Sequence, residues 1–222
     1  MKRSALHIAA VSLCILTLSA LTYADSPDRI GGTAQGYSAE MQNKIKETRA
    51  QFEKDQATVN KNLKTFDTLD FVVFSNQEWV RLHESHSKDV IVNWPDGHQT
   101  KGIERHIEDL KALFVYAPDT RIEVHPIRFG AARTVSSSSI TPEKKIEVEP
   151  LDAEEGYTCV TGIMMGTFTK PMPIGDGKFI QPTNKSFSVP MCTVGHWKNG
   201  VMIEEWLYWD NATYMRQIGL GK

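Results

Sequence analysis

The second half of the chain consists of runs of strand-forming residues separated by turn signals, and this pattern restricts the possible folds most. Arg121–Arg128 alternates, and Tyr157–Thr169 is rich in Val, Thr, Ile and Phe. Ser186–Trp197 and Val201–Trp209 follow, joined by Lys198-Asn199-Gly200, which is typical of a tight hairpin. The pattern predicts a series of antiparallel strands.

Helical patterns precede these strands. Apolar residues recur at roughly helical spacing in Ala39–Asn62, although the apolar face is thin, and Leu63–Phe74 is more strongly apolar. Asn76 suits the N-cap of a helix over Gln77–Ser85, and a further helix is expected over 102–116. Between them, Asp89–Trp94 reads as a short strand. Helices followed by antiparallel strands predict the α+β class rather than a parallel sheet.

The first 24 residues have the pattern of a signal peptide. A basic start, Met1–Arg3, precedes an apolar run from Ala5 to about Leu21, and Thr22-Tyr23-Ala24 supplies small residues for cleavage before Asp25. The alternative is a retained membrane anchor, but the run is barely long enough and no basic cluster follows it. The pattern favours an exported protein, periplasmic or secreted.

Removal of this segment leaves 198 residues, which suits one domain with a sizeable core, or one domain plus an appendage. The remaining 23 basic and 27 acidic side chains give no reason to expect a nucleic-acid partner or an anionic membrane surface. Residues 25–62 are predicted to form a polar lead and an amphipathic helix. Arg133–Glu155, with four consecutive serines and few apolar residues, is predicted to be a loop insertion.

Two cysteines, Cys159 and Cys192, remain after cleavage. Two strands that fold back about the turn-rich segment Pro173–Lys178 would bring them nearly opposite each other. In an oxidising compartment they could form a disulfide, and otherwise they are two buried thiols. The sequence leaves both alternatives open.

Several motifs follow one another in order: Trp94–Gly97 before Gly102; Phe114 with Ala117-Pro118-Asp119; Gly166–Thr169; Pro182–Lys185; and Gly200–Trp206 leading to Trp209-Asp210 and Gln217–Leu220. Together they resemble the SnoaL-like polyketide cyclase (ester cyclase) family of the nuclear-transport-factor-2-like superfamily, over residues 63–220. The resemblance implies a cone-shaped α+β barrel, in which N-terminal helices cover a curved antiparallel sheet around a pocket. The insertion departs from the family, and so does Asn184, where the family has glycine.

The resemblance makes Asp210 the candidate catalytic residue. In cyclases of this family the matching aspartate is the proposed acid/base of an aldol-type ring closure without metal or cofactor. If Trp206, Tyr208 and Asp210 share one strand face, the aromatic surroundings would raise the pKa of the carboxyl group towards neutrality. The alternative is that Asp210 caps the terminal turn through Asn211 and Ala212.

His196 is the candidate partner of this carboxylate. The hairpin brings its strand beside Val201–Trp209, and imidazole titrates near neutrality. The alternative is a surface histidine or a satisfied core histidine. The substrate pocket is expected to include Trp206 and Tyr208, together with four further residues, Trp94, Phe114, Met164 and His83, for which core packing is the alternative.

No metal site is predicted. His83 and His86 are spaced to share a helix face, His98 lies in a turn and His106 on the next helix, but no tight ligand motif is present. Glu204 and Glu205 are neighbours on a strand and therefore point to opposite faces, so they cannot act as one acid/base pair.

Two functions follow as expectations. The first is a cofactor-independent cyclase, isomerase or hydrolase acting on a small hydrophobic carbonyl compound. The second is a non-catalytic periplasmic small-ligand-binding or assembly module, because the same fold hosts both. By analogy with the superfamily, the partner in either case is expected to be a second copy of the chain, with no membrane association after signal cleavage.

Overall fold

The computed structural model describes residues 38–132 and 154–221. The predicted signal peptide (1–24), the polar lead up to residue 37 and nearly all of the predicted insertion (133–155) lie outside these ranges. The chain divides into a unit that ends at Glu47 and a larger unit from Thr48 onward. Apart from the first residues of α1, the description concerns the larger unit.

Helices and strands follow the predicted order. The helices are α1 (Ala39–Thr68), a π-helical turn (Leu69–Phe74), a 3-10 helix (Trp79–Glu84), α2 (Ile103–Tyr116) and α3 (Asn211–Gln217). The strands are β1 (His86–Asn93), β2 (Gln99–Lys101), β3 (Arg121–Ile122), β4 (Arg128–Ala131), β5 (Glu155–Thr167), β6 (Met172–Pro173), β7 (Phe179–Ile180), β8 (Ser186–Lys198) and β9 (Val201–Trp209).

Seven of the strands form one curved, open sheet in the order β2-β1-β9-β8-β5-β3, with β4 also paired to β5. The predicted α+β class is confirmed. The sheet departs from the predicted antiparallel arrangement at one pair of strands, because β1 and β9 pair in parallel, with Asn93 opposite Trp206. These strands are far apart in sequence and are not joined by a hairpin, so no local turn dictates their direction.

The long hairpins are confirmed. β5 and β8 pair antiparallel from Glu155 opposite Lys198 to Thr167 opposite Ser186. The β8–β9 turn has Asn199 and Gly200 at φ of 54° and 81°, the left-handed conformation that these residues tolerate best. Asn184, at φ 57°, takes the same conformation where the family has glycine.

Three local predictions are corrected by the structure. No boundary separates two helices near residue 62, because α1 runs to Thr68 and continues into the π-helical turn. Asn76 caps no helix, since the 3-10 helix begins after Glu78. The strand predicted over 121–128 is two short strands, β3 and β4, and the intervening segment carries His125 against the end of α1.

The thin apolar face predicted for the first part of α1 is confirmed, since Phe52 is 62 % exposed. Towards its end α1 buries Val59, Asn62 and Phe66. Phe66 packs with Val160, Trp197 and other residues of the sheet in one core cluster. In the described part of the chain, no helix combines the length and apolar character needed to cross a membrane.

Cys159 and Cys192 lie on the paired strands β5 and β8, with their Sγ atoms 3.6 Å apart. Their predicted proximity is confirmed. Both are free thiols, and burial, with the neighbouring thiol, raises the pKa of Cys192 to about 11. The disulfide itself stays a prediction.

Candidate functional site

A cavity of about 280 Å³ lies between one face of the sheet and the helices. Its wall is mostly apolar and is built by the π-helical turn, α2, β1, β5, β8, β9 and α3. A few polar side chains interrupt it, chiefly Asp70, His86, His106, Thr193 and Glu205. An apolar cavity with few convergent polar groups is the usual form of a small-molecule site.

Asp70 lies in the π-helical turn and borders the cavity with its carboxyl group buried. Such turns are frequent at functional sites. His125 Nε2 is 2.8 Å from Asp70 Oδ2, and His125 Nδ1 is 2.8 Å from Asp67 Oδ1. Arg128 donates to the other oxygen of Asp67. The histidine therefore bridges two carboxylates, one of which faces the cavity.

The environment of this cluster separates the pKa values of its members. Burial raises the pKa of Asp70, and the hydrogen bond from His125 offsets this only in part. Burial lowers the pKa of His125, but bonds and charges from Asp70 and Asp67 outweigh it and raise the pKa. Burial raises the pKa of Asp67, but Arg128 and His125 outweigh it and lower the pKa. Of the two carboxyl groups in this cluster, Asp70 is therefore the one whose pKa is shifted upward, towards neutral pH.

A second polar cluster consists of His86, His106 and Glu205. His86 opens β1, His106 lies on α2 and Glu205 lies on β9. Glu205 Oε2 is 3.5 Å from His86 Nε2 and 3.6 Å from His106 Nε2. Among the described residues, these three offer ligand atoms within 4.8 Å of one another that could hold a metal ion.

The second cluster is buried as a unit. Burial lowers the pKa of His106 to about 4, so this imidazole is neutral at physiological pH. Burial raises the pKa of Glu205, but the adjoining His86 and His106 outweigh it and lower the pKa. Glu205 is therefore ionised while Asp70, on the same cavity, is displaced towards its protonated form. Because their pKa values are shifted in opposite directions, these two carboxyl groups are suited to different roles.

Asp210 does not border this cavity. It is exposed and forms the N-cap of α3, accepting hydrogen bonds from the N–H groups of Ala212 and Thr213 and from the Thr213 hydroxyl. These bonds, led by those of Thr213, lower the pKa of Asp210. The expected rise of this pKa in an aromatic pocket is therefore wrong. The alternative drawn from the sequence, a capping aspartate, describes the observed contacts.

His196 is not brought to Asp210. Its ring stacks on Tyr157 at 4.3 Å, and its Nε2 is 2.7 Å from Glu155 Oε1. In the β8–β9 register His196 lies opposite Glu204, whereas Trp209 lies opposite Met191. Five residues along β8 correspond to about 17 Å, so the two side chains cannot share a proton.

The six expected pocket residues do not all lie at the cavity. Trp94 and Met164 border the cavity, and Phe114 packs in the adjoining core against Phe74 and Trp79. Like Phe114, the other three do not border the cavity: Trp206 and Tyr208 lie on the opposite face of β9, and His83 is exposed on the 3-10 helix. The separation of Glu204 and Glu205 onto opposite faces is confirmed, since Glu204 pairs with Asn93 away from the buried Glu205.

Asp70 and His125 were not among the site residues predicted from the sequence. A signal for the first was available, because Asp70 is the only charged residue in the apolar run Leu69–Phe74. No such signal was available for His125, because it lies 55 residues from Asp70 and no local sequence pattern links the two.

The matched family is described as SnoaL-like polyketide cyclase, and the match covers residues 127–218. The resemblance seen in the sequence is therefore confirmed in this part of the chain. The preceding residues supply Asp70, His86, His106 and His125 of the two clusters. No sequence among curated proteins matches the chain.

Several solved structures are similar to this chain. One, described as a SnoaL-like polyketide cyclase from Jannaschia sp. CCS1, is 16 % identical with a TM-score of 0.51, covering 74 % of this chain and 95 % of its own. IdmH of Streptomyces antibioticus, described as a polyketide cyclase, is 17 % identical with a TM-score of 0.47, covering 71 % and 98 %. A polyketide cyclase from Xanthomonas campestris pv. campestris is 10 % identical with a TM-score of 0.49, covering 73 % and 99 %. The similarity to the structure from Jannaschia sp. CCS1 supports the fold and nothing beyond it.

Proposed function

We propose that this chain, whose residues 127–218 match the SnoaL-like polyketide cyclase family, is a cyclase or isomerase acting on a small hydrophobic carbonyl compound. The family supports a cyclase or isomerase that needs no organic cofactor. The cavity supports the substrate class, because its volume of about 280 Å³ and apolar wall suit a small hydrophobic molecule.

One observation carries the proposal: a buried carboxyl group, Asp70, faces an apolar cavity and is held from behind by His125. In this role Asp70 removes a proton from the carbon next to the substrate carbonyl and returns it at the end of the reaction. His125 orients Asp70 and stabilises its ionised form, while Asp67 and Arg128 hold the imidazole in place.

A second polar group could stabilise the enolate oxygen formed by this step. The Tyr214 hydroxyl donates to the Tyr116 hydroxyl at 2.9 Å, which leaves the proton of Tyr116 free to bind a ligand oxygen. Burial raises the pKa of Tyr116, so it remains a donor at neutral pH. Both tyrosines border the cavity. A hydrogen-bond donor at the developing charge is the usual means of stabilising such an intermediate.

The proposal is tested by hydrogen–deuterium exchange of a small hydrophobic β-keto ester in D₂O, followed by NMR. Wild-type protein should accelerate loss of the signal from the hydrogen between the two carbonyl groups. Asp70→Asn should lower the protein-dependent rate by about 10²–10⁴-fold, the usual contribution of a positioned acid/base group. Circular dichroism checks that the variant is folded.

Asp210→Asn is the matched control, because it changes a carboxylate of the same chain that lies outside the cavity. It should exchange close to the wild-type rate. If Asp210→Asn loses the activity and Asp70→Asn keeps it, the catalytic role belongs to Asp210 as the family resemblance implied. If wild-type protein accelerates no exchange but co-purifies with an apolar compound detected by mass spectrometry, the chain is a ligand-binding module.

Export remains an expectation from the sequence, and homodimer formation remains one from analogy with the superfamily. Cell fractionation of the full chain and of a chain lacking residues 1–24 would test the first. Light scattering would test the second.

A further inference from the structure

Three side chains of metal-ligand type meet on one wall of the cavity. His86, His106 and Glu205 come from β1, α2 and β9, and their side chains are 1 %, 2 % and 5 % exposed. Such burial is costly for polar groups unless each finds a partner. Yet within the described residues, His86 Nε2, the ring nitrogen that faces Glu205, has no hydrogen-bond partner.

The hydrogen bonds of Ser85 indicate which ring nitrogen of His86 carries a hydrogen. The Ser85 hydroxyl donates to Leu82 O at 3.1 Å and lies 2.9 Å from His86 Nδ1. Its single proton is therefore engaged, and it accepts a hydrogen bond from Nδ1–H. With the hydrogen on Nδ1, Nε2 can offer a lone pair on the side that faces Glu205 Oε2. Two electron-rich atoms would then face each other, and either an additional proton or a metal ion between them makes this arrangement favourable.

The separations suit a metal ion better than a shared proton. A hydrogen bond between an imidazole and a carboxylate is about 2.7–2.9 Å long. The two pairs measure 3.5 and 3.6 Å. Zinc binds such ligands at about 2.0–2.2 Å, and two atoms bound tetrahedrally at about 2.1 Å are about 3.4 Å apart. The observed distances therefore match two edges of a tetrahedral site.

We propose that His86, His106 and Glu205 bind one divalent transition-metal ion, of which Zn²⁺ is the reference, with an open coordination position towards the cavity. Two imidazoles and one carboxylate form the ligand set of many catalytic zinc sites. Ser85 supplies the outer hydrogen bond that orients a ligating histidine. The buried Thr193 hydroxyl, also without a partner in the described part of the chain, borders the same cavity and can bind a molecule at the open position.

The ion would act as a Lewis acid on a carbonyl oxygen in the cavity. This inference goes beyond the proposed function, because proton transfer by Asp70 and His125 requires no metal. The metal site is tested by binding alone, without substrate. Its failure would therefore leave the proposed function intact, and its success would not establish that function.

The test uses tag-free protein, dialysed against a chelator and then titrated with Co²⁺ and afterwards Zn²⁺. One Co²⁺ per chain should bind with the intense visible absorption of a four-coordinate site, and Zn²⁺ should abolish that absorption. Glu205→Gln and His106→Gln should each weaken binding by more than about 100-fold, and Ser85→Ala by about 10–100-fold, the usual effect of an outer-shell change.

His83→Gln is the matched control, because it removes an exposed histidine three residues from His86 and should leave affinity and stoichiometry unchanged. Wild type and His83→Gln should also gain thermal stability on addition of Zn²⁺, whereas Glu205→Gln should not. The proposal is overturned if wild-type protein binds no Co²⁺. It is equally overturned if Glu205→Gln and His106→Gln, shown to be folded, bind it as tightly as wild type. The three residues would then share protons rather than a metal.

Discussion

The two faces of β9 carry similar residues but different chemistry. Glu205, Leu207 and Trp209 border the cavity, whereas Trp206 and Tyr208, on the opposite face, do not. Each face presents aromatic rings near a carboxylate. Only the cavity face encloses its carboxylate, and there the pKa of Glu205 is governed by burial and two histidines.

The comparison teaches that a motif at the end of a strand does not by itself create a site. Side chains alternate along a strand, so a shift of one residue moves an entire set of candidates to the other face. Asp210 follows Trp206 and Tyr208 by this alternation, but it lies beyond the strand and begins α3. The environment that tunes a carboxyl group is found instead at Asp70 and Glu205.

The largest predicted effect is on stability, and it should distinguish two neighbouring residues on opposite faces of β9. Leu207 is 7 % exposed and Tyr208 is 53 % exposed. Leu207→Ala should lower the free energy of unfolding by about 2–5 kcal/mol, because it removes buried methyl groups and leaves a void. Tyr208→Ala should change it by no more than about 0.5 kcal/mol, as for most exposed positions. Urea unfolding at low protein concentration measures both.

The outcome also bears on assembly. If Tyr208→Ala proves as costly as Leu207→Ala, the outer face is covered in solution, and a second copy of the chain would be the first explanation to test. A concentration-dependent midpoint of unfolding would then distinguish a covering partner from local packing, because association adds a dependence on protein concentration.

Much of the fold could be predicted because its signals are local. Strand alternation and the Asn199-Gly200 turn specify the β8–β9 hairpin within a few residues. The π-helical turn and the parallel pairing of β1 with β9 could not be predicted in this way. Both depend on how distant segments pack, and no local propensity encodes them.

The site was harder to predict than the fold, for a specific reason. Both faces of β9 carry large apolar side chains, Met202, Leu207 and Trp209 on one and Ile203, Trp206 and Tyr208 on the other. The sequence shows that Glu204 and Glu205 point apart, but it does not show which one faces the interior. His86, predicted on a helix, lies on a strand, and only the tertiary pairing brings it to Glu205.

The next largest effect is a pH dependence of stability that arises from His125, which binds the cavity residue Asp70. Because Asp70 and Asp67 outweigh the burial of His125, its pKa is raised above the ordinary histidine value of 6.5. The folded protein therefore binds this proton more tightly than the unfolded chain does. The resulting stability is fully present below pH 6.5 and is lost as the pH rises through the folded-state pKa.

Unfolding by urea at a series of pH values from 6.5 upward should reveal this loss in wild-type protein. His125→Gln should show a flatter profile over the same range, because its side chain does not titrate. NMR of the His125 ring protons should give a midpoint above 6.5. A midpoint below that value would show that burial, and not the two carboxylates, controls this histidine.

The smallest effect on stability should come from Asp210, which lies outside the cavity at the start of α3. Asp210→Ala removes the acceptor for the N–H groups that begin α3 and should lower the melting temperature, whereas Asp210→Asn keeps an N-cap and should lower it less. Bonds from Thr213 lower the pKa of Asp210 below 3.8, so its contribution is present above that pH and disappears as the pH falls through the folded-state pKa. The difference in melting temperature between wild type and Asp210→Ala should therefore shrink in acid. If that difference were absent at neutral pH, the cap would contribute nothing to stability, and a functional role for the exposed carboxylate would regain support.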